Sequence, residues 1–463
     1  MKYEPSVLIL AAGEGTRMRS STPKVLHSIA DVPLIEHVIA TVNQLDPISI
    51  GVVVGHRKDQ IIEHVGIRKN LEFIEQKKQL GSGNAVQSSL DWIKKQRKIS
   101  SQLLILCGDA PFITPETLKA LLALHQEGNC AATLLSSQVL DPTGYGRIIR
   151  NSKNYVKKIV EEKDATPEEK KIQEINSGVY CFNPEKLLKI LPQLKNQNAK
   201  GEFYLTDVIE FLHEQGESIK TLLAKPEDTD EALGINSRAD LANAEIIMQQ
   251  KIMRRWMNAG VTFINPMTSF VGKEVQIGKD TEILPGTLLL GKTKIGNGCK
   301  IGPHSYIKDS TVGDTVRIRA SFIYGTKIGS HCKIGPFTHL RAGTTIANNA
   351  RIGNFTEIKN SQIGKESKVS HLSYIGDATL EEDINVGAGA ITCNFDGKKK
   401  HRTFIGSKSF VGSNVNLIAP VKIGKRVLVA AGSTITKDVP DDALAIERNS
   451  QTVKEGWTKK KKL

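Results

Sequence analysis

From about Phe263 onward an aliphatic residue recurs every six positions, commonly followed by Gly, and no other feature of the 463-residue chain constrains its fold as tightly. Val271-Gly272, Ile277-Gly278, Ile283, Leu289, Ile295-Gly296, Ile301-Gly302 and Ile307 hold one register. After a slip it resumes at Ile328-Gly329, Ile334-Gly335, Leu340, Ile346, Ile352-Gly353 and Ile358. Further copies follow at Ile363-Gly364, Val369, Ile375-Gly376, Ile405-Gly406, Val411-Gly412, Leu417, Ile423-Gly424, Val429 and Ile435. A six-residue unit is one short strand plus one corner: the aliphatic side chain points into the coil, and Gly or Asn eases the turn. Stacked coils bury a continuous aliphatic ladder, so residues 261–463 are expected to form a left-handed parallel β-helix of hexapeptide repeats.

Residues 1–236 carry a different period. Short apolar runs at Ser6–Leu10, Ile48–Val54, Leu103–Leu106 and Cys130–Leu135 alternate with amphipathic stretches at Pro33–Leu45, Gly83–Lys94 and Pro115–His125. This alternation predicts an α/β domain, Rossmann-like, with a mostly parallel sheet. Between the two halves, Ser237-Arg238-Ala239-Asp240 reads as a capping box and Gly260 as a terminator, which predicts a linker helix over residues 237–260.

The net charge of +14, from 63 Lys and Arg against 49 Asp and Glu, raises nucleic acid, anionic membranes and phosphate-rich small molecules as partners. Aromatic residues are only 5% of the chain and no basic patch is interleaved with them, so phosphate-rich small substrates are expected and nucleic acid is not. The two clear basic runs are Lys398–Arg402 and Lys459–Lys462, the second expected to be a disordered tail. No apolar stretch is long enough to span a bilayer, and Met1–Pro5 leads into a strand-like run without the regions of a signal peptide. Six scattered cysteines with no C-x-x-C pair read as reduced thiols, and a cytoplasmic enzyme is expected.

Strand Ser6–Leu10 runs into Ala11-Ala12-Gly13-Glu14-Gly15-Thr16-Arg17-Met18. A loop with such small side chains lets backbone N–H groups approach phosphates or a base edge. It fails the dinucleotide fingerprint, because Met18 stands where a third Gly belongs, and it lacks the Gly-Lys-Ser/Thr of a P-loop. Arg17 and the following Pro23-Lys24 supply what a triphosphate needs when its α-phosphorus is attacked and pyrophosphate leaves.

In the second half, Arg341, Lys359, His371, Tyr374, Asn385 and Asn394 interrupt the aliphatic pattern, and the insertion Thr392–Thr403 breaks the period and is expected to protrude as a loop. A β-helix by itself is open to three uses: scaffold, trimerisation module or acyltransferase. Acyl transfer to an amine needs a base to free the amine, and His suits that task near neutrality. It also needs a donor for the tetrahedral oxyanion, and Arg and Lys would suit an anionic acceptor.

Leu10–Met18 with Pro23-Lys24 resembles the signature of the sugar-1-phosphate nucleotidyltransferases, and more motifs of their uridyltransferase branch recur in order. These are Gln76 with Leu80-Gly81-Ser82-Gly83, Gly108-Asp109 with Pro111, Asp141–Arg147, Ile159-Val160-Glu161, Glu174–Gly178 and Gly234-Ile235-Asn236. With the hexad domain added, essentially the whole chain is similar to the family members in which a sugar-nucleotide pyrophosphorylase is fused to a hexapeptide-repeat acyltransferase.

The resemblance implies two reactions: N-acetylation of glucosamine-1-phosphate by acetyl-CoA, then uridylyl transfer from UTP to N-acetylglucosamine-1-phosphate. The product would feed peptidoglycan and lipopolysaccharide precursors. It implies that Leu10, Ala11, Ala12, Gly13, Gln76, Gly81 and Ser82 hold uracil and nucleotide, and that Arg17 and Lys24 neutralise the triphosphate. Asp109 and Asn236 would coordinate Mg²⁺, a hard cation that keeps most of its waters. Gly146, Glu161 and Asn176, with Asn236, would bind the sugar. In the second half His371 would be the general base, with Arg341 and Lys359 on the phosphate and Tyr374 and Asn385 on the sugar. Ala388, Asn394, Phe395, Ser413, Ala431 and Arg448 would lie along acetyl-CoA, in a homotrimer whose acetyl-CoA pocket is shared between subunits. Cys107, Ser82 and Phe395 depart from residues common in the family. The competing readings are a different pyrophosphorylase, or the same one with a mute β-helix; retention of duplex DNA at physiological salt would favour a nucleic-acid binder.

Overall fold

The computed structural model describes residues 4–461. The chain divides into two compact units, Met1–Met248 and Gln249–Leu463.

The first unit is built on a sheet whose strands run in the order Ile219–Leu223, Ala132–Gln138, Glu174–Phe182, Leu103–Cys107, Ser6–Leu10, Ser49–Val54 and Leu71–Glu75. Ser6–Leu10 pairs in parallel with both neighbours, whereas Glu174–Phe182 is antiparallel to both of its own. Val7, Leu8 and Ile9 have no exposed surface, because the two buried clusters of this unit cover both faces of the central strands. Helix Pro115–Glu127 starts where Thr114 accepts a hydrogen bond from the Thr117 N–H at 3.2 Å, with Pro115 as its first residue.

One expected helix is split. Gly83–Lys94 reads as one amphipathic run, but the structure has Ser82–Gln87 and Leu90–Gln96. Ser88 Oγ and Ser89 Oγ donate back to the carbonyls of Asn84 and Ala85 at 2.9 and 3.2 Å, a competition with the backbone that bends helices.

Helix Arg238–Asn258 opens with reciprocal bonds: Asp240 N–H donates to Ser237 Oγ at 3.1 Å and Ser237 N–H to Asp240 Oδ2 at 2.8 Å. Glu245, on the same helix, accepts the Ala30 N–H through both carboxylate oxygens.

The second unit is a three-faced parallel β-helix. Its first face starts at Thr262–Phe263, its second at Phe270–Val271 and its third at Gln276–Ile277, and each strand pairs in parallel with the next coil. The inward ladder of the first face runs Ile283, Ile301, Ile318, Ile334, Ile352, Val369, Val386, Val411 and Val429. All of these are at most 3% exposed, which marks the prism interior as a dry aliphatic core.

The slip after Ile307 is a correction to the strict hexad. Val312, Ile318 and Ile323 are full members of the ladder; Val312 and Ile323 are each reached through a step one residue shorter, and Ile318 through a full six. The corner residue Asp309 takes φ 49°, which a short polar side chain tolerates. Buried hydroxyls satisfy corner carbonyls, as Thr287 Oγ1 does for Leu284 O at 2.7 Å and Ser361 Oγ for Lys359 O at 2.8 Å.

The insertion leaves strand Ile391–Cys393 and re-enters at Thr403–Ile405. It is an ordered turn: Asp396 Oδ1 accepts the N–H groups of Lys398 and Lys399, both at 2.7 Å, and Phe395 bridges Lys400 in antiparallel fashion. The basic tail departs from its expectation as a disordered segment, since Trp457–Lys461 forms a short helix; Lys462 lies outside the described residues. Among the described residues no helix is long and apolar enough to cross a membrane.

Candidate active sites

In the first unit, the loop after strand Ser6–Leu10 closes one side of a cavity of about 490 Å³. Leu10, Ala11, Ala12 and Gly13 form one wall together with Lys24; Gln76, Gly81, Ser82 and Asp109 complete it. Gly15 is needed at its place: its φ is +62°, and a Cβ there would sit 2.8 Å from Lys24 Cβ. The missing side chain lets the lysine stem pass along the loop. Gly81, at φ +102°, approaches Phe203 so closely that a Cβ would meet its carbonyl oxygen at 2.5 Å. Phe203 N–H donates to Leu80 O at 2.8 Å, and this seam carries Glu202 to the cavity wall, a residue that sequence spacing did not flag.

Lys24 is the electrostatic centre of the site. Its ammonium donates to Asp109 Oδ2 and, at 3.1 Å, to Asn236 Oδ1. The two residues expected to hold a cation therefore converge on one point. Gln76 is buried, and its amide hydrogens engage Gly81 O at 3.2 Å and Asn84 Oδ1 at 2.9 Å, leaving Oε1 as the group it can offer a ligand. Arg17 is not brought to this wall: it stands exposed on the turn Thr16–Met18.

The three residues expected at the sugar meet as well. Asn176 N–H donates to Gly146 O at 2.9 Å, and a Cβ on Gly146 would lie 3.6 Å from Glu161 Oε1. Glu161 Oε1 accepts from Thr206 Oγ1 at 3.1 Å, and burial pushes its carboxyl above the usual carboxylate range. Asn176 Nδ2 donates to Tyr180 Oη at 2.6 Å. The Cys107 thiol is pushed up to about 12 by burial, so it stays neutral at the cavity wall.

In the second unit, His371 ends strand Lys368–His371 and is exposed, not sealed in the prism. Its Nδ1 lies 2.7 Å from Asn354 Oδ1, one coil earlier and in register with it. An amide oxygen only accepts, so Nδ1 carries the proton and Nε2 keeps its lone pair. Val369 pairs with Val386, Val386 with Val411 and Val411 with Val429. Two residues beyond these come His371, Ala388, Ser413 and Ala431, which thus occupy the same corner of successive coils. Arg448 reaches that corner by donating to Ala431 O at 2.8 Å, and Asn385 is half-buried on the strand leading to it.

Around the neighbouring corner, Arg341 pairs with Glu357 at 2.9 Å. Lys400, from the insertion, reaches Lys359: its hydrogen-bonding approach and its charge hold Lys359 below the ordinary lysine range, with Arg341 adding to the effect. Three cations thus share one neighbourhood.

Asp377 ties these elements together. Its buried carboxylate accepts Asn360 Nδ2 and Asn394 Nδ2, each at 2.6 Å, and its main-chain oxygen accepts Thr403 N–H at 3.2 Å. Asn394 Nδ2 also reaches Tyr374 Oη at 3.4 Å, which leaves Asn394 Oδ1 for a ligand. Phe395, on the insertion, is 59% exposed and free to lie against one. Asn354 and Asp377 were not singled out as site residues by sequence reasoning; only the coil-on-coil stacking brings them beside His371 and Asn394.

A phosphate cradle on an α/β sheet, joined to a hexad prism with an exposed histidine, defines a nucleotidyltransferase carrying a second transferase domain. Residues 6–260 match the nucleotidyl transferase family. Residues 274–309, 325–360 and 402–437 match the bacterial transferase hexapeptide family of six repeats. The chain is 47% identical over 454 residues to the bifunctional protein GlmU of Halalkalibacterium halodurans, covering 98% of each. It is 47% identical over 460 residues to that of Exiguobacterium sp., covering 99% of this chain and 100% of the relative. Over 455 residues it is 48% identical to that of Caldanaerobacter subterraneus subsp. tengcongensis, covering 98% and 97%. The chain belongs to the bifunctional GlmU family.

Proposed function

We propose that the first unit transfers a uridylyl group from UTP to N-acetylglucosamine-1-phosphate with release of pyrophosphate, and that the second makes this acceptor by acetylating glucosamine-1-phosphate with acetyl-CoA. The convergence of Lys24, Asp109 and Asn236 supports the first reaction, and the exposed His371 held by Asn354 supports the second.

In the first reaction an oxygen of the sugar phosphate attacks the α-phosphorus of UTP while the bond to pyrophosphate breaks. This needs positioning and charge stabilisation, with no covalent enzyme intermediate. Lys24 neutralises phosphate charge, and Arg17 does so from the open side of the loop. The backbone of Leu10–Gly13, with Gly81 and Ser82, holds the nucleotide. Gln76 Oε1 suits an imide N–H, which uracil presents. Gly146, Glu161, Asn176 and Asn236 bind the sugar.

A Mg²⁺ ion fits Asp109 and Asn236, because two hard oxygen donors already draw on a single positive charge, the Lys24 ammonium. When bound, such an ion would supply positive charge that neutralises the triphosphate. Among the described residues no group of three or more His, Cys, Asp and Glu side chains is placed to hold a metal, so Asp109 and Asn236 would be the protein's share of the site.

In the second reaction His371 Nε2 takes a proton from the ammonium of glucosamine-1-phosphate as the amine attacks the thioester carbonyl. The tetrahedral intermediate collapses to the amide as the C–S bond breaks, and the nitrogen's second proton passes to the leaving sulfur to give the thiol. Asn354 holds the ring in the tautomer this requires. Arg341, Lys359 and Lys400 supply the charge for the sugar phosphate, with Tyr374 and Asn385 on the sugar. Acetyl-CoA extends from His371 along Ala388, Ser413 and Ala431, with Asn394, Phe395 and Arg448 beside it.

The assembly is a homotrimer. Phe337, Phe355 and Leu372 occupy one corner of successive coils, are each 57–61% exposed, and include a stacked pair with ring centroids 5.3 Å apart. Such a stripe next to His371 is what a second copy of the chain would cover. The domain limits are residues 1–236, 237–260 and 261–463. All six cysteines are unbridged, which suits a cytoplasmic setting.

The deciding experiment supplies glucosamine-1-phosphate, acetyl-CoA, UTP and Mg²⁺. Free thiol and pyrophosphate should both appear. Pyrophosphate only from ready-made N-acetylglucosamine-1-phosphate, without thiol release, would leave the prism a mute scaffold.

A further inference from the structure

We propose that the first face of the prism carries a separate binding track for a chain of phosphates, free or borne by a nucleoside. Lys300, Arg317, Lys333, Arg351 and Lys368 stand at one outward position of five successive coils, each paired in register with the next. Each precedes an inward aliphatic residue of the ladder, so the five exposed side chains leave the same face in a line. Neighbouring strands lie about 4.8 Å apart, which makes the line about 19 Å long.

A stack of like charges repels itself, and here the protein supplies almost nothing to offset it. Lys300 meets Glu282 at 3.0 Å; among the described residues no carboxylate pairs with Arg317, Lys333, Arg351 or Lys368, nor with Arg319 nearby. Elsewhere on the prism two arginines at comparable outward positions do have carboxylate partners, Arg341 in Glu357 and Arg426 in Asp442. The unmatched line is also concave. Lys300, Arg317, Arg319, Lys333 and Arg351 wall a cavity of about 380 Å³, with Leu284 and Ile334 among its apolar lining. An apolar floor weakens the competition of water for an anion, and arginines alternating with lysines favour phosphate, which accepts bidentate bonds.

The track is distinct from the acetyl-CoA corner. Ala388, Ser413 and Ala431 lie in coils after His371, whereas Lys300, Arg317, Lys333 and Arg351 lie in coils before it; Lys368, on the His371 strand and in register with Asn385, is where the track ends beside that site. No aromatic side chain lines the cavity, so the stacking platform of a single-stranded nucleic-acid site is missing.

The test uses the full-length protein without Mg²⁺ and inorganic tripolyphosphate as probe. Lys333 and Lys368 are labelled with an amine-acetylating reagent, and the rate at each lysine is read by peptide mass spectrometry. Tripolyphosphate should slow labelling of both by about tenfold, the effect of a contact of ordinary strength, and KCl at equal ionic strength should not. ATP protecting equally would show that the phosphates are what is read; protection by ATP alone would assign the site to nucleoside-borne chains. In calorimetry, K333E/R351E should lose one equivalent of tripolyphosphate while keeping both transferase activities. Absence of protection, protection matched by KCl, an unchanged stoichiometry, or stronger protection by a single-stranded oligonucleotide would each overturn the proposal. Because labelling is read lysine by lysine, protection of Lys333, which lies away from the UTP cavity and in coils before His371, is not confused with binding at either transfer site, and failure here leaves the two transfer reactions standing.

Discussion

Asn354 Oδ1 and His371 Nδ1 meet at 2.7 Å across adjacent coils, so the imidazole is oriented by a neutral amide and not by a carboxylate. A neutral partner fixes the tautomer without adding negative charge beside a site that takes anionic substrates. Asn354→Ala should lower the kcat of thiol release by about tenfold or more, as loss of an orienting partner does, and leave pyrophosphate release unchanged. His371→Ala should cost about 10²–10⁴-fold in thiol release, the range of general-base catalysis. Equal loss of uridylyl transfer in either folded variant would separate the imidazole from the role given to it.

The Lys24–Asp109–Asn236 cluster makes the opposite prediction for the first unit. Asp109→Ala should abolish pyrophosphate release and spare thiol release. Chelation by EDTA should have the same selective effect, because no step at His371 needs a metal. Thiol release that falls in parallel with pyrophosphate release on chelation would contradict two independent centres.

Asp377 fixes which face Asn394 offers. Replacing its carboxylate by an amide in Asp377→Asn removes a charge-assisted bond at 2.6 Å. Bonds of that kind contribute about 1.5–3 kcal/mol, so the KM for acetyl-CoA should rise about tenfold or more. The kcat at saturation and the KM for glucosamine-1-phosphate should change much less. A uniform fall in kcat with no change in either KM would mean that Asp377 acts on the chemical step and not through Asn394.

Asp207 sets a pH dependence of stability in the first unit. Burial, with the charges of Glu210, Glu161 and Asp164, raises its carboxyl from 3.8 to about 6. The folded state then holds a proton that the unfolded chain has already released, so stability falls as pH rises from about 4 to about 6 and stays lower above that window. Asp207→Asn should therefore raise the melting temperature at pH 7 by the equivalent of about 1 kcal/mol, allowing for solvent screening of a partly exposed group. Near pH 3.5 the difference should vanish. Greater stability of the wild type at pH 7 would invert the assignment.

Much of this architecture was legible because the prism interior admits only aliphatic side chains at one phase of the period. The shortened steps before Val312 and Ile323 escaped, since a corner one residue shorter does not disturb what points inward. The break at Ser88-Ser89 escaped because serine hydroxyls bonding back to carbonyls leave the apolar spacing intact. Loop glycines and scattered polar residues pointed to both candidate sites. Asn354 and Asp377 did not stand out, because each lies one coil away from the residue it serves. Glu202 joins the nucleotide cavity only through the Leu80–Phe203 seam, for which linear spacing carries no signal.

The coil-on-coil pairing of the second unit also governs how it can be assembled and remodelled. Every strand there bonds only to the strands one turn before and after, so ordering can spread from any nucleated turn without threading the chain through itself. Whole turns are interchangeable modules: gaining or losing one would lengthen or shorten the column in steps of about 4.8 Å and leave the remaining turns in step.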